Sequence, residues 1–113
     1  MYKSLNNFKS NYYSSYKKIY ENGKIGFATD KAVVKPQFNK LGMAYGRFIF
    51  VTSNNGEGVV DDTGKIIVPS KYSKVSYNRD SDKDVRKFYG VKQGKNVDVY
   101  SIYGKFLYES TLD

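Results

Sequence analysis

Short apolar runs alternate with turn-forming residues along most of the chain, and one version of this pattern occurs twice. The two stretches are Glu21–Phe38, ENGKIGFATDKAVVKPQF, and Asn54–Tyr72, NNGEGVVDDTGKIIVPSKY. Asn22-Gly23 of the first corresponds to Asn55-Gly56 of the second, and Pro36 corresponds to Pro69 at the same spacing. The two copies are 33 residues apart. A fixed period of this size is typical of proteins in which each repeat is one supersecondary unit.

Each copy predicts a β-hairpin. In the second copy, the apolar runs Gly58–Val60 and Lys65–Val68 predict two strands. Asp61–Gly64 predicts the turn between them, because an Asp side chain can cap its own backbone and glycine accepts a positive φ. We expect Pro69 to end the pairing, since proline has no N–H to donate to a ladder.

Further strands follow from the same kind of signal. Asn22-Gly23 predicts a two-residue hairpin turn between residues 16–21 and 24–29. Gly94–Glu109 resembles a third copy, with Gly104-Lys105 in the place of Gly64-Lys65 and no closing proline. Strands are also predicted at Phe48–Ser53, Lys87–Gln93, Val97–Ile102 and Phe106–Tyr108. Eight or nine short strands predict an all-β fold, mainly an antiparallel β-hairpin meander of small barrel-like or sandwich-like form.

The N-terminal segment, residues 1–20, has a different character, because it contains several lysines and no acidic residue. Apolar and aromatic positions there fit helical spacing, and residues 12–20 fit strand alternation equally well. We predict a short N-terminal helix over about residues 2–12, followed by a strand into the Asn22-Gly23 turn. The predicted organisation is a basic aromatic N-terminal segment, residues 1–20, and one β-hairpin repeat domain, residues 21–113.

The second copy reads as a glycine pair, two apolar residues, an Asp-initiated turn closing on Gly-Lys, three apolar residues, a proline and then an aromatic residue. The matching positions are Gly56, Gly58, Val59, Val60, Asp61, Gly64, Lys65, Ile66, Ile67, Val68, Pro69 and Tyr72, and less fully Gly23, Lys24, Gly26, Phe27, Val33, Val34, Pro36 and Phe38. This arrangement resembles the WG-repeat (KWG-like) family of bacterial β-hairpin repeats, with Ile25 in the place of the tryptophan that names the family. The resemblance implies a structural role as an interaction surface and implies no catalytic residues.

The amino-acid composition excludes several kinds of reaction and metal site. The chain has no cysteine and no histidine, which excludes disulfides, thiolate chemistry, most nucleophile–base pairs and the commonest zinc ligands. No apolar run approaches the length of a membrane-crossing helix, and the N-terminus has no apolar signal region. We therefore expect a cytoplasmic protein of a bacterial host cell, without a membrane partner.

Paired carboxylates are the remaining basis for catalysis. The acidic clusters are Asp61-Asp62, which the turn explains, and Asp80, Asp82 and Asp84. The second cluster has the opening of a calcium loop, but valines stand where such a loop needs its glycine and its final glutamate. We predict no catalytic residue, no metal site, no cofactor and no small-molecule substrate.

The charge and the aromatic residues give the best indication of function. A formal charge of +8 favours an acidic partner, and 12 tyrosines interleaved with lysines are typical of surfaces that stack unpaired bases while cations contact phosphates. The candidate binding residues are Lys9, Tyr12, Tyr13, Tyr16, Lys17, Lys18, Lys71, Lys74, Tyr77, Arg86, Lys87, Tyr89, Lys92 and Lys95.

Three functions compete at this point. The first is a non-catalytic binding module that engages nucleic acid, with single-stranded RNA preferred, or a nucleoprotein. The second is a small phage- or mobile-element-encoded protein that binds and inhibits a host defence nucleoprotein complex, in the manner of anti-CRISPR proteins; its partner would be a protein. The third is a carboxylate-dependent enzyme.

Overall fold

A computed structural model of the chain describes residues 16–80 and 85–112. This part is all-β, as the sequence predicts, and its strands pair only in antiparallel fashion. The strands are β1 (Lys17–Glu21), β2 (Lys24–Ala28), β3 (Val33–Phe38), β4 (Lys40–Tyr45), β5 (Phe48–Ser53), β6 (Gly56–Asp61), β7 (Ile66–Tyr72), β8 (Lys74–Asp80), β9 (Val85–Gln93), β10 (Asn96–Ser101) and β11 (Phe106–Thr111).

The strands form three sheets in chain order. Sheet 1 is β1-β2-β3, sheet 2 is β4-β5-β6-β7, and sheet 3 has the order β11-β10-β9-β8. A single residue, Asn39, separates β3 from β4, and Ser73 alone separates β7 from β8. The chain therefore passes from each sheet to the next at a one-residue corner.

Two hydrophobic cores lie between the sheets. The first core packs Phe27, Val34 and Phe38 of sheet 1 against Leu41, Ile49, Val51 and Val60 of sheet 2. The second core packs Phe48, Val59, Ile67, Val68 and Tyr72 of sheet 2 against Val75, Phe88 and Tyr100 of sheet 3. Neighbouring residues such as Val59 and Val60 enter different cores because side chains alternate between the two faces of a strand. The unbroken apolar run Phe48–Val51 thus belongs to a sheet that is covered on both faces.

Three hairpin turns repeat one hydrogen-bonding device. The Oδ1 atom of Asp61 accepts hydrogen bonds from the backbone N–H groups of Thr63 and Lys65 at 2.9 and 3.0 Å. Ser101 Oγ accepts the equivalent bonds from Tyr103 and Lys105. In the first hairpin, Thr29 Oγ1 accepts them from the two residues that end the turn. The predicted third copy, Gly94–Glu109, therefore contains the same turn as the second.

The prediction that proline ends the pairing is wrong. Pro69 lies inside β7, which continues to Tyr72, and Pro36 lies inside β3. The register shows why: Val59 pairs with Val68 and Glu57 with Tyr72, so three residues of β7 lie opposite the single residue Gly58. In such a bulge the ladder needs no N–H from the proline.

The sequence also predicts too few strands. Neither β4 (KLGMAY) nor β8 (KVSYNRD) is predicted, because each has a glycine or several polar residues and each continues a preceding strand through a corner. The Asn22-Gly23 hairpin is present, with φ of 52° and 78° at its two residues. β1 begins at Lys17, so the predicted boundary after residue 20 falls within a strand, and the predicted helix over residues 2–12 lies outside the described residues.

Candidate functional site

A cavity of about 480 Å³ lies where one end of sheet 2 meets sheet 3, and we call it the arginine cavity. Its lining comes from the β4–β5 turn, the middle of β8, the start of β9 and the β10–β11 turn. The lining residues are Tyr45, Gly46, Arg47, Phe48, Tyr77, Arg86, Ile102 and Tyr103. The volume falls in the range of roughly 300–1,000 Å³ that is usual for ligand sites.

Arg47 is positioned by a two-residue turn. Tyr45 pairs with Phe48, and Gly46 has a φ of 55°, as the first position of a tight hairpin turn often requires. The guanidinium carbon lies 4.8 Å from the centre of the Phe48 ring and 5.7 Å from that of Tyr103. One Nη atom donates a hydrogen bond of 3.3 Å to the carbonyl oxygen of Ile102. These contacts hold the guanidinium plane across the cavity wall.

The Nε atom of Arg47 is buried and has no hydrogen-bond partner in the part of the chain that the structure describes. A buried donor without an acceptor costs about 1–3 kcal/mol, and such groups in native proteins call for an explanation. Nε and a neighbouring Nη together form the edge that binds carboxylate or phosphate oxygens in pairs. This donor is closed to solvent in the structure, so an anion in the arginine cavity reaches it only when the Arg47 side chain turns.

Aromatic rings stand beside the two arginines. Tyr103 is 68% exposed and Tyr45 is 40% exposed, and both line the cavity with Arg86. The Tyr45 ring stacks on Tyr77 with centres 5.7 Å apart, and Tyr77 in turn packs on Phe88 of the second core. The arrangement offers a flat apolar surface next to a cationic one, and the second core holds the Tyr45 and Tyr77 rings in place.

A second group of polar side chains connects sheet 2 to sheet 3. The buried carboxylate of Asp98 accepts a hydrogen bond of 2.8 Å from the Tyr72 hydroxyl and forms an ion pair of 3.0 Å with Lys92, which also contacts Glu109. The Tyr72 and Tyr100 hydroxyls are 2.6 Å apart. Because a phenol has one proton, Tyr72 can donate to Asp98 only while Tyr100 donates to Tyr72.

These contacts shift the pKa values of Asp98 and Tyr72. Burial raises the pKa of the Asp98 carboxyl, but hydrogen bonds from Lys92 and Tyr72 outweigh burial and hold that pKa below its usual value. Burial, together with hydrogen bonds to Tyr100 and Asp98, raises the pKa of the Tyr72 phenol far above its usual value. The hydrogen bond between Tyr72 and Asp98 therefore ties β7 to β10.

The acids of the carboxylate-enzyme hypothesis also have structural partners. Burial raises the pKa of Asp61, but hydrogen bonds from Thr63 and Lys65 and the charge of Arg47 bring the pKa below its usual value. Asp62 is buried and forms an ion pair with Lys31 at 3.2 Å. Of the second acidic cluster, Asp82 and Asp84 lie outside the described residues. No group of three potential metal ligands occurs among the residues that are described.

Of the predicted binding residues that the structure describes, only Tyr77 and Arg86 line the arginine cavity. Lys74, Lys87 and Tyr89 share the outer face of sheet 3 by register, where Lys87 donates to the Tyr108 hydroxyl and Tyr89 accepts from Asn78. The other predicted binding residues that the structure describes are dispersed. Tyr16 donates to the Gly42 carbonyl, and Lys17 and Lys18 lie on β1. Lys71 lies beside the corner at Ser73, Lys92 is ion-paired, and Lys95 lies in the β9–β10 turn. Lys9, Tyr12 and Tyr13 lie outside the described residues.

Among the cavity side chains that could contact a ligand with a charge or an exposed ring, sequence reasoning missed Tyr45, Arg47 and Tyr103. The signal that could have found Arg47 is the sequence Tyr-Gly-Arg-Phe before a predicted strand, since a Gly-X pair between apolar residues is typical of a tight hairpin turn. Tyr103 lies in the middle of the third turn, where the sequence signal of the neighbouring Gly104-Lys105 indicates only a turn. Nothing in the sequence indicates that these two turns, far apart in the chain, lie side by side.

Comparison with known protein families, with curated proteins and with solved structures gives no match to this chain. The resemblance to WG repeats therefore stays a prediction. Over residues 16–80 and 85–112, the structure contains no helix with the length and apolarity needed to cross a membrane.

Proposed function

We propose that this protein is a non-catalytic binding module that engages single-stranded nucleic acid through the arginine cavity, with RNA as the preferred strand. The observation that carries the proposal is that two arginines, Arg47 and Arg86, line one cavity together with exposed tyrosine rings. A phosphate oxygen is the acceptor that a planar, permanently charged guanidinium binds best.

The surroundings favour nucleic acid over other anions. Tyr45 and Tyr103 expose ring surface within the same cavity, and aromatic rings beside cations are the usual means of binding unpaired bases and their phosphates together. The chain's charge of +8 adds long-range attraction for a polyanion. A carboxylate enzyme would use Asp61 and Asp62, but Asp61 accepts hydrogen bonds within its turn and Asp62 forms an ion pair with Lys31.

Binding of labelled single-stranded RNA, single-stranded DNA and duplex DNA across a salt series tests this function. We expect Arg86→Gln, at an exposed position, to weaken RNA binding by about tenfold. We also expect it to reduce the slope of log affinity against log salt by about 0.7, the value for one phosphate contact on a single strand. Lys35→Gln removes the same charge from β3 in sheet 1 and is the matched control.

Wild-type protein that binds none of these strands at low salt would contradict the proposal. Equal losses in Arg86→Gln and Lys35→Gln would also contradict it, because binding would then follow total charge and not the arginine cavity. Tight binding of a protein partner that is insensitive to salt and to Arg86→Gln would favour the second hypothesis, inhibition of a nucleoprotein complex.

A further inference from the structure

A second cavity, of about 320 Å³, adjoins the arginine cavity, and we call it the apolar cavity. It lies between β4, an edge strand of sheet 2, and β8, an edge strand of sheet 3. Its lining residues are Met43, Tyr45, Phe50, Val75, Ser76 and Tyr77. Tyr45 and Tyr77 line both cavities, so their stacked rings form the wall between them.

The two cavities differ in chemistry. Both arginines line the first, while the described residues that line the second include no charged side chain and only hydroxyls as polar side-chain groups. Met43 is 60% exposed at the opening, and Phe50 packs edge-on against Tyr45 with ring centres 6.2 Å apart. One cavity therefore suits an anion, and its neighbour suits an uncharged planar ring.

We infer that the apolar cavity holds the base of a nucleotide whose phosphate binds in the arginine cavity, so that the recognised unit is one phosphorylated nucleotide with its base turned out of the stack. The inference rests on the proposed function and names the substrate of that site more closely. A duplex is excluded as a ligand because its bases are paired and stacked. Base identity matters little, since every base has a flat face and Ser76 and the tyrosine hydroxyls are the polar side-chain groups in the lining.

Three lining residues of the apolar cavity have different roles in holding the base. The Tyr45 ring presents one face or edge to each cavity, so it contacts the nucleotide between base and phosphate. The Met43 thioether is flexible and polarisable, which allows it to close over bases of different size. Tyr77 packs on Phe48 and Phe88, which fixes the wall to the second core.

The test compares two strands of equal length and charge, single-stranded oligouridylate and an abasic ribose-phosphate strand without bases. We expect wild-type protein to bind the strand with bases about tenfold more tightly, which corresponds to the stacking of one base. Met43→Ala should reduce this ratio severalfold, and Arg86→Gln should weaken both strands by the same factor and leave the ratio unchanged. Val33→Ala shortens an apolar side chain of similar exposure, 52%, in sheet 1 and is the control for the methionine change.

The outcomes separate the inference from the proposed function. Equal binding of the two strands by wild-type protein overturns the inference but leaves phosphate binding at the arginine cavity intact. A ratio that Met43→Ala does not change also overturns it, because the base would then lie elsewhere. Failure to bind either strand overturns the proposed function itself.

Discussion

Gly58 is the residue on which the bulge of the second hairpin depends. A Cβ atom at this position would lie 2.4 Å from the carbonyl oxygen of Val68 and 2.7 Å from Ser70 Oγ. Gly26 has the same environment in the first hairpin, where the nearest atom, the Val34 carbonyl oxygen, would be 2.2 Å away. Both glycines are therefore required by the close approach of the proline-containing strand over them.

Gly58→Ala should lower the free energy of unfolding by about 1–3 kcal/mol or more, because the added methyl group forces the β7 backbone outward. Gly42→Ala is the matched control. A Cβ there would lie 3.5 Å from the nearest atom, an ordinary contact, and loss of glycine entropy in the unfolded chain favours alanine slightly. Urea denaturation of both variants gives the comparison, and equal stabilities would show that β7 does not need the glycine.

The residues of the candidate site differ in whether the sequence alone could predict them. Tyr77 and Arg86 could be predicted because they lie in segments where cations and aromatic residues alternate. The tight turn that contains Arg47 could have been predicted, but its place in the cavity could not, because that depends on a second turn that is remote in the chain. Patterns along a sequence report local structure and charge, while a pairing of two turns depends on how the sheets pack.

At the scale of elements, the three turns are the most regular feature of the chain. Thr29, Asp61 and Ser101 differ in chemistry but each places one side-chain oxygen where two backbone N–H groups converge. This is why the third hairpin could be predicted from Gly104-Lys105 without a closing proline. The edge strands β4 and β8 could not be predicted, because their sequences have weak strand propensity and their pairing comes from continuation through the corners.

Asp61→Ala should destabilise the protein by about 1–2 kcal/mol, because the turn loses an ionised acceptor of three hydrogen bonds. Asp61→Asn retains an acceptor oxygen at the same place and should recover most of the loss. Thermal unfolding followed by far-ultraviolet circular dichroism measures both variants. If the asparagine variant is as unstable as the alanine variant, the charge of Asp61 beside Arg47 matters more than the turn bonds.

On the scale of the whole molecule, the described residues form two cores in series, and sheet 2 takes part in both. The hydroxyl of Tyr72 reaches from sheet 2 to Asp98 in sheet 3, so a polar contact supplements the apolar packing across the second core. Its aspartate is buried and ionised, which makes the connection between these sheets sensitive to acid.

Stability should therefore fall on acidification. The pKa of Asp98 is lower in the folded chain than its unfolded value near 3.9, so its contribution is complete above the unfolded pKa and is lost as the pH falls through the folded pKa. The pKa of Asp61 is shifted in the same direction and adds to the effect. Asp98→Asn should be less stable at neutral pH and should lose less stability than wild type between about pH 4 and pH 2.

Urea unfolding at a series of pH values checks this, with Asp30→Asn, at an exposed turn position, as the control that should follow the wild-type profile. Parallel curves for wild type and Asp98→Asn would contradict a stabilising role for the ionised carboxylate.

The one-residue corners at Asn39 and Ser73 have a consequence for how such a protein can change in length. Residues 40–73 comprise all of sheet 2 and the corner that leads out of it. An in-frame duplication of the corresponding gene segment would add one complete sheet and one interface and would leave every existing hairpin uncut. Growth and shortening of the chain can thus proceed in whole sheets, and the spacing between Pro36 and Pro69 is the approximate size of each step.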